Sequence, residues 1–185
     1  MLHWEDFRVG DVTELGTVEV TEEDVIAFAT RFDPQPFHID PEAARESPFG
    51  GLIASGWHTT ALFMGLFVRG ILLDSASLGS PGVEAIRWTA PVRPGDTLTG
   101  RVTVMDSRPS ATNPRRGTIV TTSEVFNQHG ELVMTLDARG HFLGIVSRIG
   151  LGLLPVMLNG QLGVVQLLLD LEESIRRIRW QGSPG

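Results

Sequence analysis

The sequence predicts an α+β domain in which one long buried helix faces an antiparallel meander. Three observations lead there. Trp57 to Leu73 is apolar nearly all round, the pattern of a helix covered on every side. From Val83 to Leu143 the chain alternates apolar and polar residues in four segments, the period of strands. Between Phe32 and Gly56 lies a proline-stiffened stretch, FDPQPFHIDPEAARESPFGGLIASG, around which the rest is organised.

Residues Trp4 to Gly10 read as an entry turn anchored by Trp4 and Phe7. Asp11 to Val20 reads as a strand, with Val12, Leu15 and Val18 as its apolar contacts. Thr21 opens a helix as N-cap, with Glu22 and Glu23 in the first turn and Asp24 at the capping-box position. Val25, Ile26, Phe28 and Ala29 form its apolar face. Pro34 and Pro36 fix φ and push the residues before them out of the α region. The helix therefore stops at Asp33, and Asp33 to His38 is expected to be extended. Asp40 caps a short helix with Pro41 in its first turn.

Gly50-Gly51 is a tight or flexible loop. Ser55 is an N-cap for the apolar helix, in which Trp57 and Phe63 read as core residues. Strands are expected over Val83–Val92, Asp96–Met105, Gly117–Asn127 and Glu131–Leu143. Turn signals separate them at Arg93 to Asp96, Arg108 to Gly117 and Gln128 to Glu131.

The chain has 185 residues, enough for one domain and an extension. A net charge of −7 without a sustained Lys/Arg run argues against nucleic acid as a partner. No cysteine is present, which excludes disulfides, a thiol nucleophile and a thiolate metal site. No His/Asp/Glu spacing suggests a metal. The opening MLHWEDFRVGD has no apolar core and carries acids, unlike a signal peptide, so a cytoplasmic location is expected.

Chemistry points to Asp33 and His38. An acid and an imidazole on one stiff segment suit general acid–base catalysis. Each alone has a plainer role: Asp33 as a helix-ending turn residue, His38 as a hydrogen-bonded structural histidine. Their joint spacing, followed by a glycine-entered buried helix, favours function. Asp40 reads as a cap, and His58 as a structural residue of the helix's first turn. His3, His129 and His141 read as surface or sheet residues.

The run Asp33-Pro34-Gln35-Pro36-Phe37-His38-Ile39-Asp40-Pro41, then Ala43-Ala44, then Ser55-Gly56, resembles the signature of the MaoC-like dehydratases, also called the (R)-specific enoyl-CoA hydratases. Gln35 stands where that family usually has Asn. The resemblance covers roughly residues 5–144 and implies a hotdog fold, a curled antiparallel sheet around the long helix. It also implies addition of water to a trans-2-enoyl-CoA, or the reverse dehydration of a 3-hydroxyacyl-CoA. In that reaction Asp33 and His38 hold one water and exchange the two protons. The N-terminus of the helix at Gly56 stabilises the enolate through unpaired N–H groups and the positive dipole end. Ser55, Phe37 and Trp57 are expected to line the substrate site, Ser55 either bonding to the site or only capping the helix. Arg87 reads as solvent-facing rather than as a phosphate contact, and Thr59, Thr60 and Trp88 are left unassigned.

No cofactor is implied beyond the CoA thioester as substrate, and a carrier-protein thioester stays open as its replacement. A hotdog acyl-CoA thioesterase and a non-catalytic acyl-CoA-binding or interaction domain are the alternatives, since fold does not fix function. A single curled sheet leaves an edge strand, so a homodimer or higher even oligomer is expected.

Residues 145–185 lie outside the resemblance. Ile149 to Leu169 carries no charge, and its length would suit a bilayer. Pro155, Asn159, Gln161, Gln166 and four glycines in that run speak against a membrane span. The reading favoured is a helical extension, from about Val156 to Arg179, packed on the sheet or on a neighbouring subunit.

Overall fold

The computed structural model describes residues 1–113 and 115–145. The expected helical extension lies outside the described residues.

A 3₁₀ turn at Trp4–Asp6 leads into strand β1, Val12–Glu19. Helix α1 runs over Glu22–Phe32, capped by Thr21, whose side chain accepts from the Asp24 N–H at 3.1 Å. Two short helices follow, α2 at Pro36–Ile39 and α3 at Pro41–Glu46. The Asp40 carboxylate accepts from the N–H groups of Glu42 and Ala43, which starts α3. Helix α4, Gly56–Phe67, continues as a π turn over Val68–Leu72. Strands β2 (Gly82–Trp88), β3 (Thr97–Pro109), β4 (Arg116–Phe126) and β5 (Leu132–Leu143) complete the fold.

The strands form one five-stranded sheet in the order β1-β3-β4-β5-β2, with every neighbour antiparallel. Alternate residues of β3, Leu98, Gly100, Val102 and Val104, are buried on its inner face. Leu98 and Val102 share one core cluster with Phe63 and Leu66 of α4 and with Ile71 of the π turn. This is the expected hotdog arrangement. The helix comes close to the sheet because glycines remove side chains at the contact. A Cβ on Gly100 would sit 3.3 Å from the Phe63 ring, and one on Gly70 would meet the Leu15 side chain at 2.8 Å. Gly16, at φ +82°, lies where the β1–β3 register shifts, a bulge that bends the edge strand.

Four expectations need correction. Pro36 does not keep the next residues extended; it sits at the first position of α2, where a fixed φ and a missing N–H cost nothing. His38 is therefore helical, and only Asp33 to Gln35 bridges α1 and α2. Helix α4 is not covered all round: Trp57, Ala61 and Met64 are exposed. Val12 is 56% exposed, because β1 is an edge strand and that side chain points away from the core. Strand β2 ends at Trp88, since Pro91 has no N–H to give a ladder.

Candidate active site

Asp33 is the C-cap of α1, its N–H bonded to the Ala29 carbonyl at 2.8 Å. His38 lies on α2, and its Nδ1 is 2.8 Å from the Ile53 carbonyl oxygen. A carbonyl only accepts, so Nδ1 carries the hydrogen and Nε2 of the neutral ring presents its lone pair. That Nε2 lies 3.4 Å from Asp33 Oδ2. The gap is longer than a good hydrogen bond, and two acceptors face each other across it. A water oxygen donating one hydrogen to each atom satisfies both.

Ser55 both caps α4 and bonds to the site. Its Oγ accepts from the Trp57 N–H at 3.2 Å and donates to Asp33 Oδ2 at 2.7 Å. Gln35 Nε2 donates to the other carboxylate oxygen at 2.8 Å. The Ser55 bond, the Gln35 bond and the nearby His38 ring hold the Asp33 carboxyl below its usual range, outweighing partial burial, which pushes the other way. Asp33 is thus an anion at neutral pH and a weak base. His38 Nε2 presents its lone pair to the same gap.

These atoms border a cavity of about 510 Å³, which Asp33, His38, Phe37, Gly56, Trp57 and Trp88 help to line. The Gly56 N–H, at the head of α4, has no partner among the described residues. It sits at the cavity wall where the helix dipole is positive. Phe37 packs edge-on against the His38 ring, centroids 4.5 Å apart, and against Phe49 at 5.1 Å. Trp57 is 56% exposed on the cavity rim, so its reading as core is overturned. It meets Trp88 edge to face at 5.4 Å.

Asp33, His38, Gly56, Phe37 and Trp57 therefore converge on one site, whereas Ser55, expected to line it, is fully buried behind Asp33 and reaches the site only through its bond to that carboxylate. Sequence reasoning missed Trp88 and the Ile53 carbonyl as site components. Trp88 explains why residue 56 is glycine: a Cβ there would lie 2.4 Å from the indole. Its place is set by the pairing of β2 with β5, which no local pattern reports. His58 is buried and stacked on Phe28, centroids 4.8 Å apart, and its Nδ1 has no partner among the described residues. Burial lowers its pKa, with the Asp24 charge opposing.

Residues 8–125 match the family described as the MaoC-like domain, and the chain belongs to that family. The chain is 43% identical to a MaoC-like dehydratase of Rhodospirillum rubrum, whose crystal structure superposes with a TM-score of 0.72 over 77% of this chain and 97% of that one. It is 27% identical over 157 residues to a 3-hydroxybutyryl-CoA dehydratase of Methylorubrum extorquens, spanning 82% of this chain and 95% of the relative. The (R)-hydratase of A. caviae involved in PHA biosynthesis shares 27% identity at a TM-score of 0.59, over 76% and 99%.

Proposed function

We propose that the protein interconverts trans-2-enoyl-CoA and 3-hydroxyacyl-CoA by adding or removing water. The convergence of Asp33 Oδ2 and His38 Nε2 at 3.4 Å beside the head of α4 is the observation that carries this reading. In hydration, a water between them donates one hydrogen bond to Asp33 and one to His38. Its oxygen attacks C3 of the enoyl group while its proton passes to Nε2. Electron density moves to the thioester oxygen, which the Gly56 N–H and the helix dipole stabilise. Nε2 then returns the proton to C2. The product is the 3-hydroxyacyl thioester, and both side chains regain their starting charge. Asp33, kept ionised by Ser55 and Gln35, orients the water and stabilises the imidazolium that forms in between.

The working form is a homodimer or higher even oligomer. Strand β2 is an edge, and Trp57 and Met64 are exposed on the helix it faces. A monomer by sedimentation at micromolar concentration contradicts this. The chemistry is tested with crotonyl-CoA, following loss of enoyl absorbance and release of free thiol together. Loss of absorbance without thiol is the expected result. Thiol release at the same rate identifies a thioesterase and overturns the proposal.

A further inference from the structure

The loop between α3 and α4 holds His38 on two sides. Ile53 donates its N–H to the Phe37 carbonyl at 3.2 Å, and its own carbonyl accepts from His38 Nδ1 at 2.8 Å. Phe49 lays its ring against Phe37, which in turn meets the His38 ring edge-on. The imidazole that presents Nε2 to Asp33 is therefore fixed by whatever fixes this loop.

The first half of the loop fixes itself poorly. Its own bonds are short-range: Ser47 Oγ donates to the Ala44 carbonyl at 2.6 Å and accepts from the Phe49 N–H at 3.2 Å, and the Gly50 N–H donates to the Ser47 carbonyl at 3.0 Å. Two glycines follow Phe49, Gly50 at φ +66°, and glycine leaves the backbone its widest freedom. Among the described residues, Arg93 is the only one beyond α3 and the loop that hydrogen-bonds with residues 47–51: its Nη2 donates to the Phe49 carbonyl at 2.7 Å. The guanidinium lies against Gly51, where a Cβ would be 3.5 Å from Nη1. Arg93 is itself anchored in the connection from β2 to β3. Its N–H donates to Asp96 Oδ2 at 2.7 Å, Asp96 Oδ1 accepts from Gln128 Nε2 at 3.0 Å, and the Gly95 N–H donates to the Val20 carbonyl at 2.8 Å. Phe49, Ile53 and Val92 line the catalytic cavity, and Arg93 does not.

We propose that Arg93 is a positioning residue for His38: its bond to the Phe49 carbonyl holds the loop that sets the orientation and tautomer of the imidazole. This rests on the hydratase reading of the Asp33–His38 pair. A loop released from Arg93 lets Phe49 leave Phe37 and loosens the Ile53 carbonyl. Nδ1 then keeps the hydrogen in only a fraction of the molecules, and only that fraction presents the Nε2 lone pair to the water. Arg93 touches no reacting atom, so its loss lowers kcat and leaves KM nearly unchanged.

The test uses Arg93→Met, which keeps the aliphatic stem and removes the donors, and Arg93→Lys, which keeps one charged donor for the one carbonyl. Both kcat and KM are measured for crotonyl-CoA and for crotonyl-N-acetylcysteamine, a thioester without phosphates. The His38 tautomer is read from its ring ¹⁵N shifts. A misplacement of about 1 Å costs about 10²-fold, so Arg93→Met lowers kcat by about 10–100-fold on both thioesters. Arg93→Lys recovers most of that loss. In the native protein His38 is a single Nδ1–H tautomer, and in Arg93→Met it becomes a mixture. Should Arg93→Met lose the native circular dichroism spectrum, Phe49→Leu, which shrinks the ring that the anchored loop carries, is read for the same mixture. An unchanged His38 tautomer overturns the proposal. A raised KM for crotonyl-CoA alone, with the smaller thioester unaffected, makes Arg93 a phosphate contact and overturns it too. If the native protein hydrates neither thioester, the hydratase reading falls, and the ¹⁵N shifts still decide the role of Arg93.

Discussion

Replacing Ser55 by alanine removes two interactions made by one oxygen, and their effects separate by pH. The first is the N-cap bond to the Trp57 N–H, worth about 1 kcal/mol. The second is the 2.7 Å bond to the Asp33 carboxylate. A bond to a charged group is worth about 1.5–3 kcal/mol. The Asp33 side chain keeps 21% of its surface in water, which places this one at the low end. The sum, roughly 2–3 kcal/mol, lowers Tm by about 4–10 °C for a domain of this size. Asp33 titrates below its ordinary value in the folded protein, chiefly because of Ser55. Its ionised form therefore stabilises the fold above the unfolded pKa, about 3.9, and that contribution disappears as pH falls through the lower folded value. The native-to-mutant difference should be largest near pH 7 and should shrink toward the cap contribution alone at low pH. The assay is denaturant unfolding by circular dichroism at several pH values. The acid limb of the pH–rate profile should also move to higher pH. A difference that does not change with pH, or a Tm equal to that of the native protein, would refute the reasoning.

Two further outcomes follow from the site's packing. Gly56→Ala drives a methyl into the Trp88 indole at 2.4 Å; calorimetry should show roughly 1–3 kcal/mol of destabilisation, and turnover should fall because the ring shifts over the helix head. His58→Leu removes a buried imidazole with a nitrogen that has no partner among the described residues; because burial lowers its pKa, the native fold loses stability as pH falls below about 6.5, where only the unfolded chain takes the proton, and the variant's stability should stay flatter between pH 6.5 and 5.

Much of this site was legible because its parts are local. Thr21 with Asp24, Asp40 before Pro41, and Ser55 before an apolar run each state a helix start within a few residues, and each cap forms as expected. The prolines located the end of α1 at Asp33, but the second of them began a helix where an extended segment was expected, because Pro stops one helix and starts another with equal ease. Periodicity found β2 to β5, and the apolar contacts between Asp11 and Val20 found β1. Neither found the end of β2, the exposed side of α4, or the closure of Trp88 over Gly56. Those depend on which strand pairs with which, and the sheet order β1-β3-β4-β5-β2 puts β2 beside β5 rather than β3. Trp57 was misjudged for a related reason: an apolar residue on a helix is buried only if another element reaches that face, and among the described residues none does.

The central claim is that Asp33 and His38 act as one unit, with Nε2 as the only proton-exchanging atom. A double-mutant cycle with Asp33→Asn, His38→Gln and the pair, measured as kcat/KM for crotonyl-CoA hydration on variants that keep the native circular dichroism spectrum, tests it most directly. Each single change should cost about 10²–10⁴-fold, and the double variant should be no slower than the slower single. Losses that multiply in the double variant, or a His38→Gln enzyme that retains near-native turnover, would contradict the account.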